Sequence, residues 1–151
     1  MSRRETAEIV ISADPTTVFD VLADPAQHSL FDGSDSVKGQ IAGPPRLYLG
    51  AKFSMRMRIG APYLTRNRVV EYDEDALIAW RHFARHVWRY ELFPMDERAL
   101  ATRVVETFDY APAPGAPVYE RLGIPERNRN AMEATLQRLK VLIEGRSRIA
   151  T

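Results

Sequence analysis

From Phe53 to Ile59 apolar side chains take every odd position, and Lys52, Ser54, Arg56 and Arg58 take the even ones, a period of two that predicts a strand with its odd face buried. Gly60-Ala61-Pro62 reads as a turn into a second strand, Tyr63 to Tyr72. Pairing Ile59 with Tyr63 and Met55 with Asn67 sets Thr65, Asn67 and Val69 beside Met55 and Met57 on one inner face. A tight turn at Asp73-Glu74-Asp75-Ala76 matches Val69 with Trp80. A glycine-free turn at Ala84-Arg85-His86 then sets His82 opposite Trp88 and Trp80 opposite Tyr90. The inner face therefore continues through Ile78, Trp80, His82, Trp88, Tyr90, Leu92, Val104, Glu106 and Phe108.

On either side of this meander the pattern changes. Thr6 to Ser12 alternates as a strand, and Asp14-Pro15 supplies an N-cap and a first helical proline for a helix with Val18, Phe19 and Leu22 on one face. Pro25 ends that helix and opens a second short one carrying His28, Leu30 and Phe31, which Asp32-Gly33-Ser34-Asp35 breaks. Val37 to Ile41 is a weak strand, followed by a proline-containing loop to Gly50. Pro112 to Pro125 reads as a crossing loop. A long helix starts at Pro125, with Met132, Leu136, Leu139 and Ile143 at helical spacing, and Gly145 is its expected stop. The order predicts an α+β fold in which a curved antiparallel sheet of about six to seven strands wraps the C-terminal helix, the one long amphipathic element available to cover it.

These residues resemble the START-like superfamily, also called SRPBCC, Bet v 1-like or helix-grip, in its polyketide cyclase/dehydrase branch. The resemblance rests on the run from Glu8 to Pro25, the hairpin joining Val69-Val70-Glu71-Tyr72 to Ala79-Trp80-Arg81, the segment Val105-Glu106-Thr107-Phe108-Asp109-Tyr110 and the helix from Asn130 to Leu139. It spans essentially the whole chain, 1–151, as one domain. It implies the helix-grip fold and leaves the chemistry open, because the superfamily includes lipid carriers, hormone receptors, cyclases and chaperone activators.

Composition narrows the field. Lysine and arginine number 21 against 20 aspartates and glutamates, so no global field points to nucleic acid. Cysteine is absent, which removes disulfides, thiolate metal sites and cysteine nucleophiles. With no leader-like apolar run at the start and no stretch long enough to span a bilayer, a cytoplasmic protein without stable membrane insertion is expected.

The inner face carries the candidate chemistry. Met55, Met57, Asn67, Trp80, His82, Trp88, Tyr90, Glu106, Phe108, Met132 and Leu136 form a surface that is apolar yet tipped with polar groups, each of which needs a partner once buried. Such a surface suits a small hydrophobic or amphipathic ligand, lipid-, polyketide- or steroid-like, in a cavity between sheet and helix. His82, Glu106 and Tyr90 are the candidates for proton transfer if the protein is instead a polyketide aromatase/cyclase-like enzyme. His28 and Phe31, on the second short helix, are placed at the cavity entrance because that insertion rims the cavity in the superfamily. His82 and His86 have metal-like spacing only for a helix, and here they flank a strand turn, so neither a metal nor a cofactor is expected. A third reading uses Arg56, Arg58, Arg66, Arg68, Arg81, Arg89 and Arg103, all on the outer face, to bind a protein partner. The expected partner is a small hydrophobic molecule; a homodimer is left open.

Overall fold

The computed structural model describes residues 2–150. Strand β1 (Arg4–Ile11) leads into helix α1 (Pro15–Leu22), whose N-cap Asp14 accepts from the Thr17 N–H at 2.7 Å. A 3₁₀ turn at Pro25–Gln27 and the single-turn helix α2 (His28–Phe31) follow. The meander then runs through β2 (Val37–Ala42), β3 (Lys52–Ile59), β4 (Ala61–Asp73), β5 (Leu77–His82), β6 (Val87–Pro94) and β7 (Thr102–Asp109). Helices α3 (Ala116–Arg121) and α4 (Ile124–Ala150) complete the order. The strands form one antiparallel sheet in the order β1-β7-β6-β5-β4-β3-β2, so the first strand is stitched to the last. No helix among the described residues is long and apolar enough to cross a membrane.

The strands show their expected faces to the core except at the β3–β4 tip, where Ile59 is exposed, but the β3–β4 hairpin is tighter than its sequence predicts and the three-residue β5–β6 loop lies one position earlier. Gly60 alone, at φ 72°, turns β3 into β4, so Ile59 pairs with Ala61 and Phe53, not Met55, faces Asn67. The β5–β6 loop is Phe83-Ala84-Arg85, with Arg85 in the left-handed region at φ 72°; Trp80 therefore faces Trp88, and His82 faces His86. Both corrections slip the register by two residues, which leaves the side chains away from that tip on their predicted faces. Val69 does lie opposite Trp80, just before a bulge.

The C-terminal elements also depart from expectation. The crossing loop contains α3, and α4 passes straight through Gly145. A lone glycine costs a helix only about 1 kcal/mol, and the flanking Glu144 and Arg146 are good helix formers. Helix α4 buries Met132, Leu136, Leu139 and Ile143 against the concave sheet, beside Ile11, Phe19, Leu22 and Val104. Its position is set by the segment after α2. The Gly33 N–H donates to Thr135 Oγ1 at 2.8 Å, and Arg138 donates to the Asp32 carbonyl and the Asp35 carboxylate at 2.6 and 2.7 Å. Any β-carbon on Gly33 would fall 2.4 Å from both the Ala131 carbonyl oxygen and the Thr135 nitrogen, which are helix backbone atoms that cannot step aside. Gly33→Ala is accordingly expected to cost about 1–3 kcal/mol by overpacking, read as a lower thermal midpoint with unchanged helix content. A midpoint equal to the parent's would show that this segment does not brace α4.

Candidate functional site

Between the concave sheet, α2 and α4 lies a cavity of about 780 Å³. Its exposed lining residues, Ser34, Arg58, Ile59, Tyr63, Arg127 and Asn130, put the mouth among the β3–β4 hairpin, the segment after α2 and the first turns of α4. Ten of the eleven residues expected to contact a ligand line it: Met55, Met57, Asn67, Trp80, His82, Trp88, Tyr90, Glu106, Phe108 and Met132. Leu136 is not among the lining residues. It is only 1% exposed and packs into the core one turn along α4 from Met132.

The aromatic wall is continuous. Trp80 stacks on His28 at 4.9 Å between ring centres and meets Phe53 edge-on at 5.8 Å. Farther along, Trp88 lies 4.7 Å from Phe108, which meets His86 at 5.2 Å. His28 and Phe31 line the cavity, yet the structure places them inside and not at its entrance, since both are buried. His28 Nε2–H donates to the Leu22 carbonyl at 2.9 Å, and burial holds its pKa below the ordinary histidine value.

The β5–β6 slip creates an arrangement that the sequence reading missed. Cross-strand His82 and His86 stack 4.4 Å apart and nearly parallel, and both line the cavity. His82 Nδ1 accepts from the Ala84 N–H at 3.3 Å, so the neutral ring carries its proton on Nε2. Burial pushes His82 down to about 4; burial and the neighbouring His82 push His86 to about 3. Both rings are therefore uncharged at neutral pH. The signal for this pair was an i, i+4 spacing across a three-residue loop, obscured because the left-handed position holds arginine where glycine is usual. Among the described residues no group of three or more His, Cys, Asp or Glu side chains is placed to hold a metal ion.

Glu106 sits deeper, opposite Ala7 of β1 and Tyr90 of β6. The Tyr90 hydroxyl donates to Glu106 Oε1 at 2.8 Å, while Oε2 is buried without a protein partner. Burial, reinforced by Asp32 and opposed by the Tyr90 hydrogen bond, raises the Glu106 pKa to about 8. Tyr90 is raised well above its usual value, first by burial and then by Glu106, so at pH 7 both groups are neutral. Nearby, Asn67 Nδ2 donates to Thr65 Oγ1 at 3.2 Å.

On the outer face the arginines divide. Arg89 grips Glu71 with Nε at 3.0 Å and Nη2 at 2.5 Å, and Arg103 pairs with Glu8 at 3.0 Å. Arg56, Arg66, Arg68 and Arg81 have no ion pair among the described residues, and Arg68 stands between Lys52 and Arg81 across β3, β4 and β5; Arg58, expected on this face, instead reaches the cavity mouth beside the β3–β4 turn.

A seven-stranded curved sheet gripping one long helix over a cavity defines a helix-grip domain of the START-like/SRPBCC superfamily. Within it, the chain belongs to the polyketide cyclase/dehydrase and lipid transport family, whose model matches residues 3–144. It is 36% identical over 141 residues to the uncharacterized protein Rv0088 of Mycobacterium tuberculosis, covering 90% of this chain and 62% of that protein. The chain thus spans less than two thirds of the length of that curated relative. Among solved structures it is similar to protein Ms6760 of Mycobacterium smegmatis, with a TM-score of 0.72 and 17% identity over 95% of this chain and 92% of that one. The polyketide cyclase-like protein Cgl2372 of Corynebacterium glutamicum is 18% identical, with a TM-score of 0.63 over 95% and 93% of the two chains. At these identities the structural likeness speaks for the fold alone.

Proposed function

We propose that the chain is one helix-grip domain, cytoplasmic in setting, that binds a small hydrophobic or amphipathic molecule of lipid-, polyketide- or steroid-like character in the cavity under α4. The observation that carries this reading is the cavity itself: about 780 Å³, with a wall of Trp80, Trp88, Phe108 and three methionines interrupted by polar tips such as Asn67, Tyr90 and Glu106. That volume suits a ligand of several fused rings or a folded acyl chain. Flexible thioethers from Met55, Met57 and Met132 let such a wall adapt to an irregular guest. Native mass spectrometry of freshly purified protein is expected to show a mass increment that denaturation releases as an organic compound, and the same spectra count the copies of the chain per particle. Protein that stays at apo mass and binds no apolar probe would sink the proposal.

A cyclase-like reaction is the second reading, and one juxtaposition favours it. An acid that keeps its proton near neutral pH, Glu106, shares the cavity with unprotonated imidazoles at His82 and His86. On that reading His82→Ala abolishes product formation from a poly-β-ketone chain while ligand binding survives; equal turnover by the variant would remove His82 from any catalytic role.

A further inference from the structure

We infer that the ligand buries an uncharged oxygen, a carbonyl or a hydroxyl, at its inner end, and that Glu106 Oε2 is the atom that hydrogen-bonds it. This rests on the cavity-binding reading and adds the chemical class of the group recognised. Glu106 is 2% exposed, lines the cavity, and has one oxygen engaged by Tyr90 and the other without a protein partner. A buried carboxyl oxygen left unpaired is costly, so a site that keeps one has a use for it. Tyr90 spends its single hydroxyl proton on Oε1, which makes Oε1 the acceptor of the pair and leaves the acid proton to Oε2.

The electrostatic surroundings favour a neutral guest. The charged or titratable groups lining the same cavity are Asp32, Arg58, Arg127, Tyr63, Tyr90, Tyr119 and the histidines His28, His82 and His86. Of the charged ones, Asp32 acts on Glu106, and it acts with burial to keep the proton in place. Arg58 and Arg127 are exposed at the mouth, and among the described residues no lysine or arginine pairs with Glu106. A carboxylate carried to the inner end would meet Asp32 and an acid without a cation to neutralise it. An ammonium would have to expel the Glu106 proton and pass the mouth arginines. A ketone or alcohol needs neither step, since Oε2–H donates directly to its oxygen.

Three probes on one ring scaffold test this: 2-acetylnaphthalene, 2-naphthoate and 2-naphthylmethylammonium, titrated calorimetrically at pH 7 against the whole chain. The ketone is expected to bind at least about 10-fold more tightly than either ion, the equivalent of roughly one neutral hydrogen bond. Glu106→Leu loses that factor, whereas Glu106→Gln, which keeps an N–H donor and the Tyr90 contact, stays within about threefold of the parent. Ketone affinity of the parent falls between pH 7 and pH 9 as Oε2 changes from donor to acceptor, and that of Glu106→Gln does not. Preference for either ion, or equal ketone affinity in the parent and in Glu106→Leu, overturns the inference while leaving the cavity reading intact. Failure of all three probes to bind removes the cavity reading and this inference together.

Discussion

Replacing Glu106 by glutamine is expected to raise stability above pH 7 and leave it nearly unchanged at pH 5. The folded-state pKa of about 8 lies above the ordinary value of 4.5, with burial the largest cause. A carboxyl raised on folding makes the folded chain the better proton binder, so its stability is greatest below about pH 4.5 and declines as pH climbs to about 8. Over that window the penalty reaches on the order of 5 kcal/mol, and on the order of 3 kcal/mol by pH 7. Glutamine cannot ionise and still accepts from the Tyr90 hydroxyl, so it avoids the ionisation penalty, its amide N–H groups taking the place of the unpartnered Oε2–H. Urea midpoints at pH 5, 7 and 9 read the difference directly, because every other titrating group is common to both chains. Parallel profiles for parent and variant would mean that Glu106 ionises at its ordinary value.

Trp80→Ala is the substitution with the next largest expected cost, about 3–5 kcal/mol. The indole is 9% exposed and joins α2 to the sheet by stacking on His28 and meeting Phe53 and Tyr90. Its loss would enlarge the cavity toward α2 and wet the His28 ring. The His28 titration, held low by burial, should then move up toward 6.5, an effect that a simple loss of packing elsewhere would not produce. Ring-proton shifts followed by NMR across pH 4–8 report it; an unmoved His28 with an unchanged urea midpoint would show that Trp80 does not shield that side of the site.

How far the sequence could be read follows from the same residues. Period-two alternation assigns faces, and faces survive a slip of two, so Asn67, Trp80, Tyr90 and Glu106 were placed on the inner wall although two hairpin registers were wrong. What alternation cannot give is the pairing partner. His86 therefore passed for a turn residue when it faces His82. Helical spacing likewise marks Met132 and Leu136 as buried but cannot say which of them a cavity will touch. His28 departs from its expected place for a different reason: its burial depends on Trp80, fifty-two positions away, and no local pattern encodes that contact. The unpaired Oε2 of Glu106 belongs to tertiary structure altogether.

The strand order carries a consequence for how the chain is made. During synthesis β3 through β7 can each pair with the strand that has just preceded it, a ladder of short-range closures. β1 is different: residues 4–11 have no ladder partner until residues 102–109 exist, and α4, which covers them, is made later still. The earliest-made strand of this domain is thus the last of its strands to find a ladder partner, and its apolar side stays uncovered while the rest of the sheet is made.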